Sequence, residues 1–176
     1  GYFGTFPSEV RPEHVSPAAL ALLRRLATNR SLVIGAQSGS ERVLAATRRG
    51  HGVEEVERAV ALCIEGGFEP HVDFLFGLPG EEEPDRRASI ALAERLAARG
   101  ARIHSHAFLP LPGTPLRDAE PTLIDGQARD GLARLEAQGR SYGQWRQQVV
   151  TAQELLAQSR SRRPLGQRAS GKTHLP

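Results

Sequence analysis

Two histidines one residue apart, His104 and His106 in "ARIHSHAFLP", stand out first as residues whose type and spacing could do chemistry. In an extended strand successive side chains alternate between faces, so both imidazoles fall opposite Ile103, Ser105 and Ala107. Such a pair can exchange protons near neutral pH or ligate a metal, and it can equally be a hydrogen-bonded interior pair. A second group is formed by three turns, "GAQSGSERVL" (35–44), "GLPGEEE" (77–83) and "PLPGTPL" (110–116), each following an apolar run. Glycine lets backbone approach a ligand closely, and proline fixes a turn. Gln37 and Ser38 add an amide and a hydroxyl to the first turn, and Asp73 places one acid inside the apolar run before the second. Any one turn is ordinary loop punctuation, with glutamates complementing the dipole of a following helix. Three of them, together with Gln37, Ser38 and the histidine pair, point to a site.

The elements that must position these residues alternate between strand and helix. "YFGTF" (2–6) reads as a short strand, and Ser16 then Pro17 open a helix with Leu20, Leu23 and Leu26 at helical spacing. "SLVIGAQ" (31–37) is β-branched and apolar, and Ser40 caps a short helix after it. A helix from Val53 carries Val56, Val60, Cys63 and Ile64 on one face and stops at Gly66-Gly67. The "HVDFLF" strand follows, then a helix near Pro84 ending at Gly100, then a strand over 101–110. Nearly continuous apolar strands alternating with helices indicate a parallel sheet covered by helices, and its ligands gather at the carboxyl ends of the strands. All three turns lie on that rim. Residues 125–158 read as two amphipathic helices, the second carrying Tyr142, Trp145, Val149, Leu155 and Leu156. From Ser159 the composition is Arg, Ser, Gly and Pro, with almost nothing to bury, and disorder is expected.

Composition narrows the function classes. No apolar run approaches the ~18 residues of a membrane helix, and the first ten residues carry no secretory signal pattern. Cys63 is the single cysteine, which excludes an internal disulfide and any metal cluster held by this chain's cysteines alone, and reads as cytoplasmic. The formal net charge is +3, but acids and bases are interspersed through residues 1–118. The basic excess sits in "RSYGQWRQQ" and "SRSRRPLGQRASGKTH", a tail rather than a folded basic face, which argues against a nucleic-acid partner. "GQRASGKT" (166–173) fits the phosphate-loop pattern letter for letter, yet it has no strand before it and no helix after it. There is no methionine, so the chain reads as a processed product or a piece of something longer.

"IGAQSGSERVLAATRRGH", "HVDFLFGLPGEEEPD" and "HAFLPLPGTPLRDA", in that order and spacing, resemble the second half of radical S-adenosylmethionine enzymes. The resemblance spans roughly residues 3–150, and "FPSEVRPEHVSPAALALLRR" and "QGRSYGQWRQQ" match the group whose members often carry a cobalamin-binding domain. It implies the C-terminal portion of a partial (β/α)6 TIM-like parallel barrel over residues 1–118, a helical extension over 119–158 and a disordered basic tail over 159–176. S-adenosylmethionine is the implied cofactor, with a [4Fe–4S] cluster and, in the complete protein, cobalamin. The family's Cys-x3-Cys-x2-Cys loop is absent here. The cluster would therefore be ligated outside this chain, by a missing N-terminal half acting as partner, and this chain alone would be inactive.

Carried over residue by residue, Glu9 and Arg11 match third-strand positions that face the methionine part of the cofactor. A carboxylate there can hold an ammonium, and an arginine can clamp a carboxylate. Gln37 and Ser38 match fourth-strand positions that hydrogen-bond ribose or carboxylate, and Arg49 matches an arginine near the same rim. Leu75 and Gly77 match the fifth-strand motif lining the adenine. That motif departs from the family pattern at Asp73, which replaces a glycine, at Leu75, which replaces an isoleucine, and at Gly80, which stands at the glutamate position with Glu81 next. His104 and His106 would face substrate, and no catalytic residue or metal ligand is assigned on this reading. Two rivals stay open: a metal-dependent barrel hydrolase using His104-x-His106, and a non-catalytic interaction module using the Trp145 helix and the basic tail.

Overall fold

The structure is a computed structural model and describes residues 9–162. The expected Tyr2–Phe6 strand and the "GQRASGKT" match lie outside the described residues, as does the tail from residue 163. Four strands, β1 (Ser31–Gln37), β2 (Glu69–Phe76), β3 (Arg102–Ala107) and β4 (Ser141–Tyr142), form one sheet in that order, every pair parallel. Val10 adds a bridge to Ile34 outside β1, with its N–H on the Val33 carbonyl at 2.7 Å and its carbonyl on the Gly35 N–H at 3.0 Å. Among the described residues the sheet does not close on itself.

Among the described residues six α-helices accompany the sheet: α1 (Pro17–Leu26), α2 (Glu41–Ala46), α3 (Val53–Glu65), α4 (Glu83–Ala98), α5 (Gly126–Ala137) and α6 (Trp145–Arg162). Their starts follow the sequence signals. Ser16 accepts from the Ala19 N–H at 3.2 Å with Pro17 at the first helical position, and Ser40 accepts from the Val43 N–H at 3.4 Å. Both helices expected beyond residue 125 form, but a two-residue strand lies between them and pairs Ser141 with Ile103 and Tyr142 with His104. Residues 119–158 thus continue the strand–helix alternation into the sheet. The backbone of α6 runs to Arg162, four residues into the stretch expected to be disordered. None of the described helices is long and apolar enough to cross a membrane.

One core joins the sheet to its helices. Leu32, Ile34 and Ala36 of β1, Val72, Phe74 and Phe76 of β2, and Ile103 and Ala107 of β3 share it with Val56, Val60 and Cys63 of α3 and with Leu92, Ala93 and Leu96 of α4. α5 adds Leu132 and Leu135, and α6 adds Trp145 and Val149. Each fully buried aliphatic or aromatic side chain stabilises the fold by about 1.5–3 kcal/mol, so these alternating positions decide which way each strand faces. The intervening residues, His71, Asp73 and Leu75 on β2 and His104 and His106 on β3, must lie on the opposite face. Trp145 is 2% exposed and donates its indole N–H to Glu136 at 2.6 Å, so the side chain expected to hold a partner is part of the core.

Candidate functional site

The opposite face carries a polar row. Strand register sets Gly35 beside Asp73, Asp73 beside His104, and His104 beside Tyr142. His104 Nδ1 lies 2.8 Å from Asp73 Oδ1 and 3.2 Å from His106 Nε2. The Tyr142 ring stacks on His104, with centroids 4.5 Å apart and planes 14° from parallel, and its hydroxyl reaches His71 Nδ1 at 2.6 Å. Asp73 and His104 are buried, whereas His71, Leu75, His106 and Tyr142 stay half-buried and reachable. Burial, then the neighbouring His104, holds His106 below the ordinary histidine range. Burial, then Asp73, raises the Tyr142 phenol. His104 and His106 therefore share one face, as alternation requires, with Asp73 as a direct neighbour.

A second polar group forms where β1 ends. The bridge at Val10 brings Glu9 over Gly35, where a Cβ would lie 2.4 Å from the Glu9 carboxyl carbon, so only glycine leaves room for that carboxylate. Glu9 Oε2 accepts from the Gln37 amide at 2.8 Å, and Oε1 accepts from the Arg49 guanidinium at 3.1 Å. Arg49 also donates to the Gly35 carbonyl at 3.2 Å, while its Nε–H is buried without a hydrogen-bond partner. Arg11 donates to the Arg49 carbonyl oxygen and pairs with Glu13 at 2.7 Å. Gln37 adopts φ 66°, an uncommon conformation for a non-glycine residue, at a break in the β1–β2 register. Glu9, Arg11, Gln37 and Arg49, separated by up to 40 positions, are one connected group.

Ser38, Leu75 and Gly77 are placed differently. The Ser38 hydroxyl is fully buried, 3.2 Å from the Ser89 hydroxyl and accepting from the Ser40 N–H at 3.1 Å, which staples the turn to α4. Gly77 has φ 79°, and its N–H goes to Glu81 Oε2 at 2.6 Å while its carbonyl accepts from the Thr122 N–H at 2.9 Å. Its backbone is thereby used within the fold. Leu75 joins a small apolar cluster at the rim with Val43, Leu78 and Phe108.

The acids of "GEEEPD" close these turns. Glu81 is 3% exposed, and burial pushes its carboxyl up to about 7 despite the Gly77 N–H and Arg86, whose guanidinium lies 3.9 Å away. Asp85 accepts from Ser40 at 2.6 Å, from Arg42 and from the Glu82 N–H at 2.8 Å. Burial raises the Asp85 carboxyl, but these donors outweigh it and hold the group below the ordinary range. Arg42 donates on to the Gly80 carbonyl at 2.9 Å, so the first two rim turns are tied together. Arg86 spans to Asp125 at 2.6 Å, at the start of α5. Arg42, Arg86, Asp85 and Asp125 carried no periodic signal. Only the nearness of Ser40 and Pro84 to helix starts hinted that acids there would find N–H groups.

The family model of the Radical SAM superfamily matches residues 4–93. Two tRNA-2-methylthio-N(6)-dimethylallyladenosine synthases are similar in sequence. That of Magnetococcus marinus is 38% identical over 104 residues, 57% of this chain and 23% of that protein. That of Chromohalobacter salexigens is 36% identical over 104 residues, 57% of this chain and 22% of that protein. The matched region thus spans under a quarter of those relatives' length. Among solved structures, the radical SAM enzyme coproporphyrinogen III oxidase (HemN) of Escherichia coli superposes with a TM-score of 0.57 and 20% identity, over 73% of this chain and 31% of that one. The radical S-adenosylmethionine methyltransferase TsrM of Kitasatospora setae, solved with cobalamin and a [4Fe–4S] cluster, gives 0.52 and 27% identity over 60% of this chain and 21% of that one. The chain belongs to the radical SAM superfamily, and its α/β sheet is that of the family's TIM-like barrels.

Proposed function

We propose that this chain supplies the cofactor-cradling strand ends and part of the substrate wall of a radical S-adenosylmethionine enzyme. One observation carries the reading: the Glu9–Gln37–Arg49 group, seated over Gly35 at the carboxyl end of β1. A carboxylate beside the Arg49 guanidinium, with Arg11 joined to the same group through the Arg49 carbonyl, fits an amino acid's ammonium and carboxylate, and the unpartnered Arg49 Nε–H is a donor already out of water. Glu9 would hold the ammonium and Arg11 and Arg49 the carboxylate, with Gln37 fixing the Glu9 rotamer. Leu75 would offer apolar contact to the adenine. Ser38 and Gly77 would act by positioning their turns. S-adenosylmethionine, when bound, supplies the family's radical chemistry.

The [4Fe–4S] cluster does not fit the residues present. Cys63 is the single cysteine, it is fully buried in the core on α3, and burial pushes its thiol up to about 11. Cluster ligation is therefore assigned to cysteines outside this chain, and cobalamin, bound to TsrM, is assigned to no residue of it. His104 and His106 would form the substrate wall, with Asp73 orienting the His104 ring.

The test is equilibrium binding of S-adenosylmethionine to the complete, cluster-loaded protein, with Gln37→Ala and Arg49→Ala beside it. A hydrogen bond to a charged group contributes about 1.5–3 kcal/mol, so affinity should fall about tenfold or more in each variant. Unchanged affinity in both would remove this group from the cofactor site.

A further inference from the structure

We infer that Asp73, His104 and His106 form a binding site for one divalent transition metal ion on the polar sheet face, built from residues other than those proposed to hold S-adenosylmethionine. The lone-pair atoms of all three lie within 4.8 Å of one another. Two spacings are set by the strands: Asp73 Oδ1 to His104 Nδ1 is 2.8 Å, and His104 Nδ1 to His106 Nε2 is 3.2 Å. A metal bound at about 2.0–2.2 Å from imidazole nitrogen and carboxylate oxygen requires neighbouring donors about 3 Å apart, and these two pairs have that spacing.

Proton counting points the same way. His104 Nδ1 faces a carboxylate oxygen on one side and an imidazole nitrogen on the other. A neutral His104 with its proton on Nδ1 has one N–H for two acceptors. With the proton on the other nitrogen, the Nδ1 lone pair confronts the Asp73 carboxylate directly. A metal cation where the three side chains meet would take the place of the proton that His104 Nδ1 or His106 Nε2 otherwise carries.

The surroundings hold the donors in place, as second contacts do around metal-binding histidines. Register fixes Asp73 opposite His104. The Tyr142 ring lies flat on the His104 ring, and the Gln148 side chain hydrogen-bonds His106. Arg102 sits over the Tyr142 ring at 5.5 Å. Two imidazole nitrogens and one carboxylate oxygen suit Zn²⁺, Fe²⁺ or Co²⁺, and three donors leave coordination positions open. Because His106 is half-buried, those positions are open to a small ligand or water. Cys63 belongs to the core on α3, so no sulfur reaches the site.

The experiment is Co²⁺ titration of the full chain after dialysis against a chelator, followed by visible absorption and by melting temperature. One equivalent should bind with d–d bands and without the intense near-ultraviolet absorption of a thiolate ligand, and the melting temperature should rise. His106→Ala and Asp73→Asn should each weaken Co²⁺ binding at least a hundredfold, whereas His14→Ala, at an exposed histidine, should keep it. Binding well below one equivalent, or affinity unchanged in His106→Ala, would overturn the assignment. If Asp73→Asn fails to fold, His106→Ala decides alone, because circular dichroism can confirm that replacing this half-buried side chain leaves the fold intact.

Discussion

Replacing Glu81 with glutamine should remove a loss of stability that runs between about pH 5 and pH 8. The Glu81 carboxyl is 3% exposed, with one oxygen on the Gly77 N–H and the other buried without a partner. Burial raises it from 4.5 to about 7. Between those values the folded protein holds a proton that the unfolded chain has released, so stability falls as pH rises through that window. Below it both states are protonated and the contribution is complete. Above it both are ionised and the loss is constant. A gap of that size corresponds to about 3 kcal/mol, a large fraction of a domain's net stability. Asp85 and Asp125, which are lowered, have the opposite sign and act at more acidic pH, and His106, also lowered, has the opposite sign within the window; all three are common to both proteins, so the difference between wild type and Glu81→Gln isolates Glu81. The assay is urea unfolding at several pH values across the window. The stability advantage of wild type over Glu81→Gln should shrink by about 3 kcal/mol from the acidic to the basic end. Equal slopes in the two proteins would refute the reasoning and place the Glu81 carboxylate in contact with water.

Two glycines make further predictions. Gly77→Ala places a Cβ 2.6 Å from the Thr122 carbonyl oxygen at φ 79°, so urea unfolding should show a loss of at least about 2 kcal/mol; a loss under about 0.5 kcal/mol would mean the 119–124 segment yields freely. Gly35→Ala meets only the movable end of Glu9, so its melting curve should change little while S-adenosylmethionine binding by the complete protein weakens about tenfold. A large stability loss with unchanged binding would show instead that Gly35 serves packing alone.

Much of the fold was legible because strands and helices here obey simple periods. β1, β2 and β3 are apolar runs long enough to show, and α1 and α2 begin at serines placed to accept N–H groups. β4 was not legible, since two residues between Gly139 and Gly143 carry no period. It exists because β3 offers an edge and α5 and α6 hold the segment there. The same-face placement of His104 and His106 followed from alternation. Asp73 as their neighbour did not, because register between strands depends on packing beyond either strand. The role of "GLPGEEEPD" was half legible. Acid near a helix start was expected, but folding Glu81 back under the strand end and sending Asp85 to Ser40 and Arg42 are long-range pairings that no local pattern announces.

The hydrogen bond from Tyr142 to His71 joins residues 71 positions apart and reaches across β3. Closing so long a loop costs entropy, which the packing of α5 and α6 beside the sheet must offset. The Tyr142 ring lies on His104 through the same placement, so β4 links His71 of β2 and His104 of β3 from one side. Residues 141–142 thus tie the later part of the described chain to the second strand, and the polar row on this face is complete only when the two are joined.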